Sequence, residues 1–209
     1  MAGSKPKVRA ILFDADGVVQ RNTLGWIDRV RELCGRVEDT ETFLHELFAA
    51  ERPCLLGRAD FKNVLAQILH KWSSTSSASD ALSLWTQIEP EAAVLDLINT
   101  FRRSGTQVAL ASNQQEYRAA YMLDNLGYAQ QFDHILFSCN LGFAKPSMEF
   151  FEKSIEHVRI AADQLLFIDD SIKNVQSAKL AGLHAEQFHL ADGVAKLERT
   201  LRDYRFTTK

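Results

Sequence analysis

The sequence predicts an α/β fold with a parallel sheet as its core and a helical cap inserted after the first strand. Three observations support this prediction. An apolar, strand-like run over residues 8–13 ends abruptly in an acidic turn. Residues 23–85 show helical periodicity and no convincing strand. From residue 90 onward strand and helix patterns alternate, which is typical of a parallel sheet with helices on both faces.

The first strand is predicted from the apolar run at Val8–Phe13, which is followed by Asp14-Ala15-Asp16-Gly17. Asp is a poor strand residue, so the two acids lie at the carboxyl end of the strand, where open parallel sheets bind ligands. Two carboxylates ~4 Å apart repel by roughly 4 kcal/mol at an effective dielectric of about 20. A divalent cation would offset that repulsion. A simple turn is the alternative, because Asp and Gly are both common turn residues.

The cap is predicted from apolar residues that recur at helical spacing. They fall into four groups: Trp26, Ile27, Val30 and Leu33; Phe43, Leu44, Leu47 and Phe48; Phe61, Val64, Leu65, Ile68, Leu69 and Trp72; and Leu82, Leu84 and Trp85. We interpret the tryptophans as core anchors and Ser73–Ser79 as a polar linker. Glu89-Pro90-Glu91 marks the end of this segment. The predicted domains are a core over 1–19 and 90–209 and a cap over 20–89.

The second part of the chain supplies the remaining strands and helices. The predicted order is a helix over 94–101, a strand over 107–111, a helix over 117–126, a strand over 135–138, a helix over 148–158, a strand over 165–168, a helix over 172–180, a strand over 184–188 and a helix over 194–204. Together with the first strand, this alternation predicts a Rossmann-like core.

Composition excludes several classes of protein. The chain has 209 residues, 46% of them hydrophobic, which is too many for a disordered chain. A net charge of −3 gives no reason to expect a nucleic-acid partner. No apolar stretch approaches the ~18 residues that a membrane span needs. Three widely spaced cysteines without a Cys-x-x-Cys motif fit a reducing, cytoplasmic setting. The default expectation is a monomer, because the cap already covers the site.

Three further strand ends carry polar residues: Ser112-Asn113, Lys145-Pro146 and Asp169-Asp170. Each has a plain structural alternative, since Ser, Asn and Asp are common helix N-caps and a lone lysine is usually solvated. A hydroxyl at a helix start could also bind phosphate together with free backbone amides. Because the fold gathers the carboxyl ends of its strands in one crevice, the combination predicts a divalent-cation site beside an anion site.

These motifs resemble those of the haloacid dehalogenase superfamily, and they occur in the same order along the chain. The helical insert is similar to the small cap of its first subgroup. The Ser-Asn, Gly-x-x-Lys-Pro and Ile-Asp-Asp variants are similar to those of sugar-phosphate phosphatases of the α-glucose-1-phosphate type. This resemblance implies that Asp14 is a nucleophile and that Asp16 is a general acid and base. The second role requires a raised pKa at Asp16.

The resemblance also implies the binding residues. Phosphate would be bound by Ser112, Asn113 and Lys145, and Lys145 would in addition neutralise the charge on Asp14. The metal would be Mg²⁺, held by Asp14, the backbone carbonyl of Asp16, and Asp170, with Asp169 in support. The second acid, Asp16, favours phosphoryl transfer over dehalogenation.

The sequence therefore predicts a Mg²⁺-dependent phosphatase that acts on a small phosphorylated metabolite, with a sugar phosphate as one candidate. A phosphosugar mutase and a catalytically silent binding or regulatory protein on the same fold are the alternatives. Gln20, Asn22, Trp26 and Arg58 lie where they could reach a substrate, but a packed or solvated position is equally open to each. Sequence alone does not select the substrate.

Overall fold

A five-stranded parallel sheet forms the centre of the protein. We analysed a computed structural model that describes residues 6–206. Within these residues there are nine strands: β1 (Lys7–Val8), β2 (Ala10–Phe13), β3 (Gln20–Asn22), β4 (Ile88–Pro90), β5 (Gln107–Ser112), β6 (His134–Phe137), β7 (Leu165–Asp169), β8 (His184–Gln187) and β9 (Arg205–Phe206). The central sheet has the order β6-β5-β2-β7-β8, with every pair parallel. The predicted α/β fold is confirmed.

Helices cover both faces of this sheet. The helices of the second part of the chain are α5 (Ala92–Arg103), α6 (Glu116–Asp124), α7 (Tyr128–Gln131), α8 (Ser138–Leu141), α9 (Met148–Val158), α10 (Ile172–Leu180) and α11 (Val194–Arg202). In β2, Ile11 and Phe13 pack into a cluster with α5, α6 and α11, whereas Ala10 and Leu12 pack with α9 and α10. Because successive strand residues point to opposite faces, a strand covered on both faces is apolar throughout.

The inserted segment has a hydrophobic cluster of its own. Its helices are α1 (Trp26–Arg31), α2 (Thr40–Glu51), α3 (Phe61–Lys71) and α4 (Ala78–Leu82). The cluster includes buried residues of these helices, such as Phe43, Leu47 and Phe61. It also includes Trp72, which directly follows α3, and Trp85, which lies in a 3-10 helix over Ser83–Thr86. Trp72 and Trp85 are buried, in agreement with their interpretation as core anchors. None of the described helices is long and apolar enough to cross a membrane.

We propose the domain division at 19/20 and 89/90 on the strength of two features. The cap cluster is separate from the two clusters that flank the sheet. The chain also leaves and re-enters the core through one antiparallel pair, in which β3 is hydrogen-bonded to β4. Residues 1–5 and 207–209 of the predicted core lie outside the described part of the chain.

Short elements escaped the sequence analysis. The predicted strand at 8–13 is divided, so that β1 pairs with β9 and only β2 joins the central sheet. Neither β1 nor β9 exceeds two residues, and β3 and β4 have three residues each. Runs this short show no periodicity, because the alternation that marks a strand needs about four residues or more.

Candidate active site

A crevice opens where the strand order reverses. From β2 the chain proceeds outward to β5 and β6, then returns to the other side of β2 for β7 and β8. Ligands bind outside the carboxyl ends of the strands at such a reversal. The crevice has a volume of about 350 Å³ and is lined by Asp14, Asp16, Gly17, Arg21, Asn22, Ser112, Asn113, Lys145, Asp170 and Asn174. We call it the acidic crevice. It brings together all the predicted site residues except Asp169, which is fully buried next to it.

The Lys145 ammonium group is buried between two carboxylates. Its Nζ lies 2.8 Å from Asp14 Oδ1 and 2.7 Å from Asp169 Oδ2, and the side chain is only 1% exposed. Burial by itself lowers the pKa of Lys145, but the charges of Asp14 and Asp169 outweigh burial and raise it. The lysine is therefore charged, and it neutralises only part of the negative charge around it.

The three acids Asp14, Asp169 and Asp170 form a cluster that could hold a metal ion. Each offers a carboxylate oxygen, and these oxygens lie within 4.8 Å of one another. Burial raises the pKa of Asp14 to about 7, Lys145 opposes this shift, and the charge of Asp169 adds to it. Burial and Asp169 likewise raise the pKa of Asp170. A cluster of crowded carboxylates with one lysine fits a hard divalent cation such as Mg²⁺, which prefers oxygen ligands.

Gly17 allows the first loop to pass close to this cluster. Its φ of +80° lies in the left-handed region, and a Cβ atom there would lie 2.3 Å from Asp170 Oδ2. The loop is closed by backbone hydrogen bonds from Gly17 N to Gln20 O (2.8 Å) and from Gln20 N to Ala15 O (3.0 Å). A side chain at position 17 would be strained and would displace the Asp170 carboxylate.

Asp16 is held by an arginine that the sequence analysis did not identify. Arg118 Nη2 donates to Asp16 Oδ1 at 2.8 Å, and Nη1 donates to Oδ2, giving a bidentate pair. Gln20 and Gln114 donate to the same carboxylate at 3.0 and 3.1 Å. Burial raises the pKa of Asp16, but the charge and hydrogen bonds of Arg118 and the two glutamine hydrogen bonds outweigh it, so that the pKa is lowered. The prediction of a raised pKa was wrong for this structure.

The signal that could have identified Arg118 is weak. Arg118 lies on α6 beside the buried residues Ala119 and Met122, and its own side chain is also buried. An arginine on the apolar face of a helix needs a buried partner. However, the partner is 102 residues away in the chain, and only the fold brings the two together.

Ser112 and Asn113 form hydrogen bonds with different neighbours. Ser112 is buried at the end of β5, and its hydroxyl accepts a hydrogen bond from Gln114 Nε2 at 3.0 Å. The Asn113 side chain binds the main chain of Lys145 twice: Nδ2 donates to Lys145 O, and Oδ1 accepts from Lys145 N, both at 2.8 Å. Asn113 therefore fixes the loop that carries the buried lysine.

Asp169 is held by groups at the start of α10. Its Oδ1 accepts hydrogen bonds from Ser171 N at 2.8 Å and from Asn174 Nδ2 at 3.0 Å. These contacts fix the carboxylate whose other oxygen accepts from Lys145. Asp169 thus orients the lysine, while Asp170 lines the crevice.

A larger groove, of about 650 Å³, lies at the amino ends of β5 and β6. Its polar residues are Arg102, Thr106, Gln107, Asp133, His134, His157 and Arg159. It contains none of the predicted site residues and lies at the opposite edge of the sheet from the acidic crevice. Size alone therefore does not locate the candidate active site.

Comparison with known sequences gives a family match over most of the chain. Residues 8–182 match the haloacid dehalogenase-like hydrolases. A sesquiterpene phosphatase of Aspergillus oryzae is 28% identical over 109 residues, which make up 52% of this chain and 54% of that protein. A drimenol cyclase of Aspergillus calidoustus is 32% identical over 65 residues, which make up 31% of this chain and 12% of that protein. The match thus spans about half of the phosphatase and a small part of the cyclase.

Solved structures show the same fold. A predicted hydrolase of this type from Porphyromonas gingivalis superposes with a TM-score of 0.78 at 23% identity, covering 93% of this chain and 98% of that one. A related enzyme from Bacteroides thetaiotaomicron gives 0.80 at 20% identity, covering 92% and 99%. The same enzyme in complex with magnesium and inorganic phosphate gives 0.76 at 19% identity, covering 91% and 98%.

Proposed function

We propose a phosphatase activity from one premise: this chain belongs to the family of haloacid dehalogenase-like hydrolases. The proposed reaction is Mg²⁺-dependent hydrolysis of a small-molecule phosphomonoester through an aspartyl phosphate. The observation that carries the proposal is the pairing of Asp14 with the buried Lys145 at a crevice that also contains Asp16 and Ser112. A carboxylate nucleophile, a second carboxylate and phosphate-binding donors are the groups this reaction needs.

In the first proposed step the Asp14 carboxylate attacks phosphorus, and the bond from phosphorus to the alcohol oxygen breaks. The alcohol leaves with a proton supplied by Asp16. The Lys145 ammonium group neutralises charge on Asp14 and on the transferring phosphoryl group. Ser112 would bind that group by its hydroxyl. An incoming phosphate dianion brings negative charge to Asp16, and this charge opposes the lowering of its pKa by Arg118.

In the second proposed step water attacks the phosphorus of the aspartyl phosphate. Asp16 takes a proton from that water, and Asp14 is released as a carboxylate together with inorganic phosphate. The Arg118 contact favours this step, because it keeps Asp16 in its basic form and fixes its orientation.

The proposed metal ligands are Asp14, the backbone carbonyl of Asp16, and Asp170, with Asp169 orienting Lys145. When bound, Mg²⁺ would neutralise negative charge on the phosphate oxygens. The acidic cluster supports this assignment, because its carboxylates crowd together with a single lysine to balance them. The complex of the Bacteroides enzyme with magnesium and phosphate is a further support.

For the substrate we propose a chemical class. A small phosphorylated metabolite fits the crevice volume of about 350 Å³. The resemblance noted in the sequence suggests a sugar phosphate, whereas the relative from Aspergillus oryzae is a sesquiterpene phosphatase. That relative favours the ester of an apolar alcohol over a sugar phosphate.

Phosphate release from a panel of phosphomonoesters, measured with Mg²⁺ and then with a chelator, tests the proposal. We expect turnover that the chelator abolishes. Asp14→Asn should abolish turnover and keep the circular dichroism spectrum of the parent, since Asn cannot form the covalent intermediate. Asp28→Asn, an exposed cap residue paired with Arg31, is the matched control and should retain activity. Turnover that persists in Asp14→Asn would contradict the proposal.

A further inference from the structure

A second cavity lies beneath the cap and joins the acidic crevice. Its volume is about 180 Å³. Its lining combines four apolar side chains, Trp26, Phe48, Leu55 and Trp85, with five polar ones, Asn22, Glu51, Asn113, Gln114 and Arg118. We call it the cap cavity. It shares Asn22 and Asn113 with the acidic crevice, so the two spaces adjoin each other. A phosphate bound beside Asp14 would therefore direct its ester group toward the cap cavity.

The two tryptophans of the cap cavity offer ring surface to a ligand but no free hydrogen-bond donor. The indole N–H of Trp26 donates to Leu84 O at 2.7 Å, and that of Trp85 donates to Glu51 Oε1 at 2.9 Å. Both tryptophan donors are thus used within the cap. The two indoles meet edge to face, with ring centroids 6.0 Å apart. A bound group would contact aromatic faces and apolar side chains that have no donor left to offer.

The cavity wall is fixed to the core as well. Trp85 O accepts a hydrogen bond from Arg118 Nε at 2.9 Å, and Arg118 also holds Asp16. The Trp85 ring packs edge to face on Phe61 at 4.8 Å. Because the wall is held from both sides, the cavity is a preformed site and not a gap between loose side chains.

Two charged groups line the cap cavity, and both have partners. The Arg118 guanidinium is paired with Asp16. Glu51 accepts from Trp85, and burial raises its pKa to about 7. Gln114 is hydrogen-bonded to Asp16, Ser112 and Arg118, and both ends of the Asn113 side chain bind the main chain of Lys145. One oxygen of Glu51 and the amide nitrogen of Asn22 can therefore meet polar groups on a ligand, which is fewer than the hydroxyl groups of a sugar.

We propose that the cap cavity selects phosphomonoesters whose alcohol has an apolar body about the size of one aromatic ring, and that it discriminates against sugar phosphates. This inference rests on the proposed phosphatase function. A hydrocarbon-lined cavity of about 150 Å³ holds benzene, so this volume suits a single ring. A sugar would lose water at several hydroxyl groups without gaining partners on the aromatic walls.

The first test compares kcat/KM for phenyl phosphate, glucose 1-phosphate and acetyl phosphate in the presence of Mg²⁺. We expect phenyl phosphate to exceed glucose 1-phosphate at least tenfold. Acetyl phosphate has almost no leaving-group body, so it reports on the acidic crevice alone. A glucose 1-phosphate value equal to or above that of phenyl phosphate would overturn the inference while leaving the phosphatase function in place.

Variants of the cavity wall sharpen this test. The ratio of kcat/KM for phenyl phosphate to that for acetyl phosphate should fall at least tenfold in Phe48→Ser and in Leu55→Asn. Both residues are partly buried, and Leu55→Asn provides a second, independent variant if Phe48→Ser fails to fold. Leu24→Ser is the matched control, because Leu24 is a cap residue that is 95% exposed. An unchanged ratio in a folded wall variant would overturn the inference.

A binding measurement tests the cap cavity assignment separately from the proposed catalysis. Phenylphosphonate cannot be hydrolysed, and its binding beside Trp26 and Trp85 should change tryptophan fluorescence. We expect a Kd at least tenfold lower than that of glucose 1-phosphate measured with Asp14→Asn. If phenylphosphonate binds in this way while no ester is hydrolysed, the cap cavity assignment stands and the phosphatase proposal fails. Equal or weaker binding of phenylphosphonate would refute the cavity assignment itself.

Discussion

The acidic crevice and the cap cavity adjoin each other, but only the cavity has apolar side chains in its wall. In the crevice, acids are balanced by buried cations, as in the pairing of Lys145 with Asp14 and Asp169. In the cavity, tryptophan rings present surfaces whose donors are already used. Under the proposed function the comparison separates two tasks: charged groups of the core would bind and transfer phosphate, whereas the apolar side chains of the cap would select the alcohol that carries it.

The largest effect should follow from removing the buried cation of the crevice. Lys145→Met leaves the carboxylates of Asp14 and Asp169 without their shared partner, and loss of one member of a buried ion pair costs about 3–5 kcal/mol. We expect a free energy of unfolding lower by about that amount in urea titrations. We also expect kcat to fall at least 10³-fold, because the charge on the transferring phosphoryl group loses its neutralising group.

A surface lysine gives the control for this substitution. Lys196 forms an exposed ion pair with Asp192. Exposed pairs of this kind contribute about 0.5 kcal/mol or less, so Lys196→Met should change neither stability nor turnover appreciably. Equal losses in the two variants would contradict the role assigned to the buried lysine.

A smaller effect, confined to the cap, should follow from Gly57→Ala. Gly57 has a φ of +65°, and a Cβ atom there would lie 2.3 Å from the carbonyl oxygen of Cys139 in α8. The cap must shift from the core to relieve this contact, since backbone cannot move aside cheaply. We expect kcat/KM to fall about tenfold for phenyl phosphate and about twofold for acetyl phosphate, because the cap contacts only the larger leaving group.

A second glycine with a positive φ provides the control for Gly57→Ala. Gly142 also has a positive φ, but nothing lies within 4 Å of a Cβ atom built there. Gly142→Ala therefore carries the backbone strain of Gly57→Ala without the contact between cap and core. If the ratio of kcat/KM for phenyl phosphate to that for acetyl phosphate fell equally in both variants, backbone strain and not a shift of the cap would be its cause.

The smallest effect concerns the pH dependence of cap stability. Burial raises the pKa of Glu51 from 4.5 to about 7, and Asp16 adds to the shift while Trp85 and Arg118 oppose it. Between these two pH values the folded state binds more protons than the unfolded state, so the free energy of unfolding falls as pH rises. Glu51→Gln removes this titration. Its stability relative to the parent should increase by about 1–2 kcal/mol between pH 5 and pH 8, measured by urea unfolding.

Glu46 on the same helix offers a matched comparison. It also accepts from a tryptophan, Trp72 Nε1, but hydrogen bonds from Lys71 and Trp72 lower its pKa. Because its pKa is lowered on folding, the folded state does not bind extra protons in this range, and the stability of Glu46→Gln relative to the parent should not show the rise expected for Glu51→Gln between pH 5 and pH 8. Parallel pH profiles for the two variants would contradict the buried state of Glu51.

Much of the fold and part of the candidate site followed from local pattern. The strand that ends at Asp14 and the strand that ends at Asp169 were predicted because apolar runs stop abruptly at acids. Their meeting at one crevice followed from the rule that parallel strands share a carboxyl edge. The short pair β3 and β4 was not predicted, since three residues carry no periodic signal.

Local sequence patterns predicted which chemical groups stand at the strand ends, because alternation, helix period and breaker residues act over a few neighbours. The contacts that each group makes depend on the folded structure. Arg118 reaches Asp16 across 102 residues and reverses the direction expected for its pKa. Trp26 and Trp85 line a cavity whose walls come from separate helices of the cap. Such contacts depend on packing between distant segments, which no local pattern specifies.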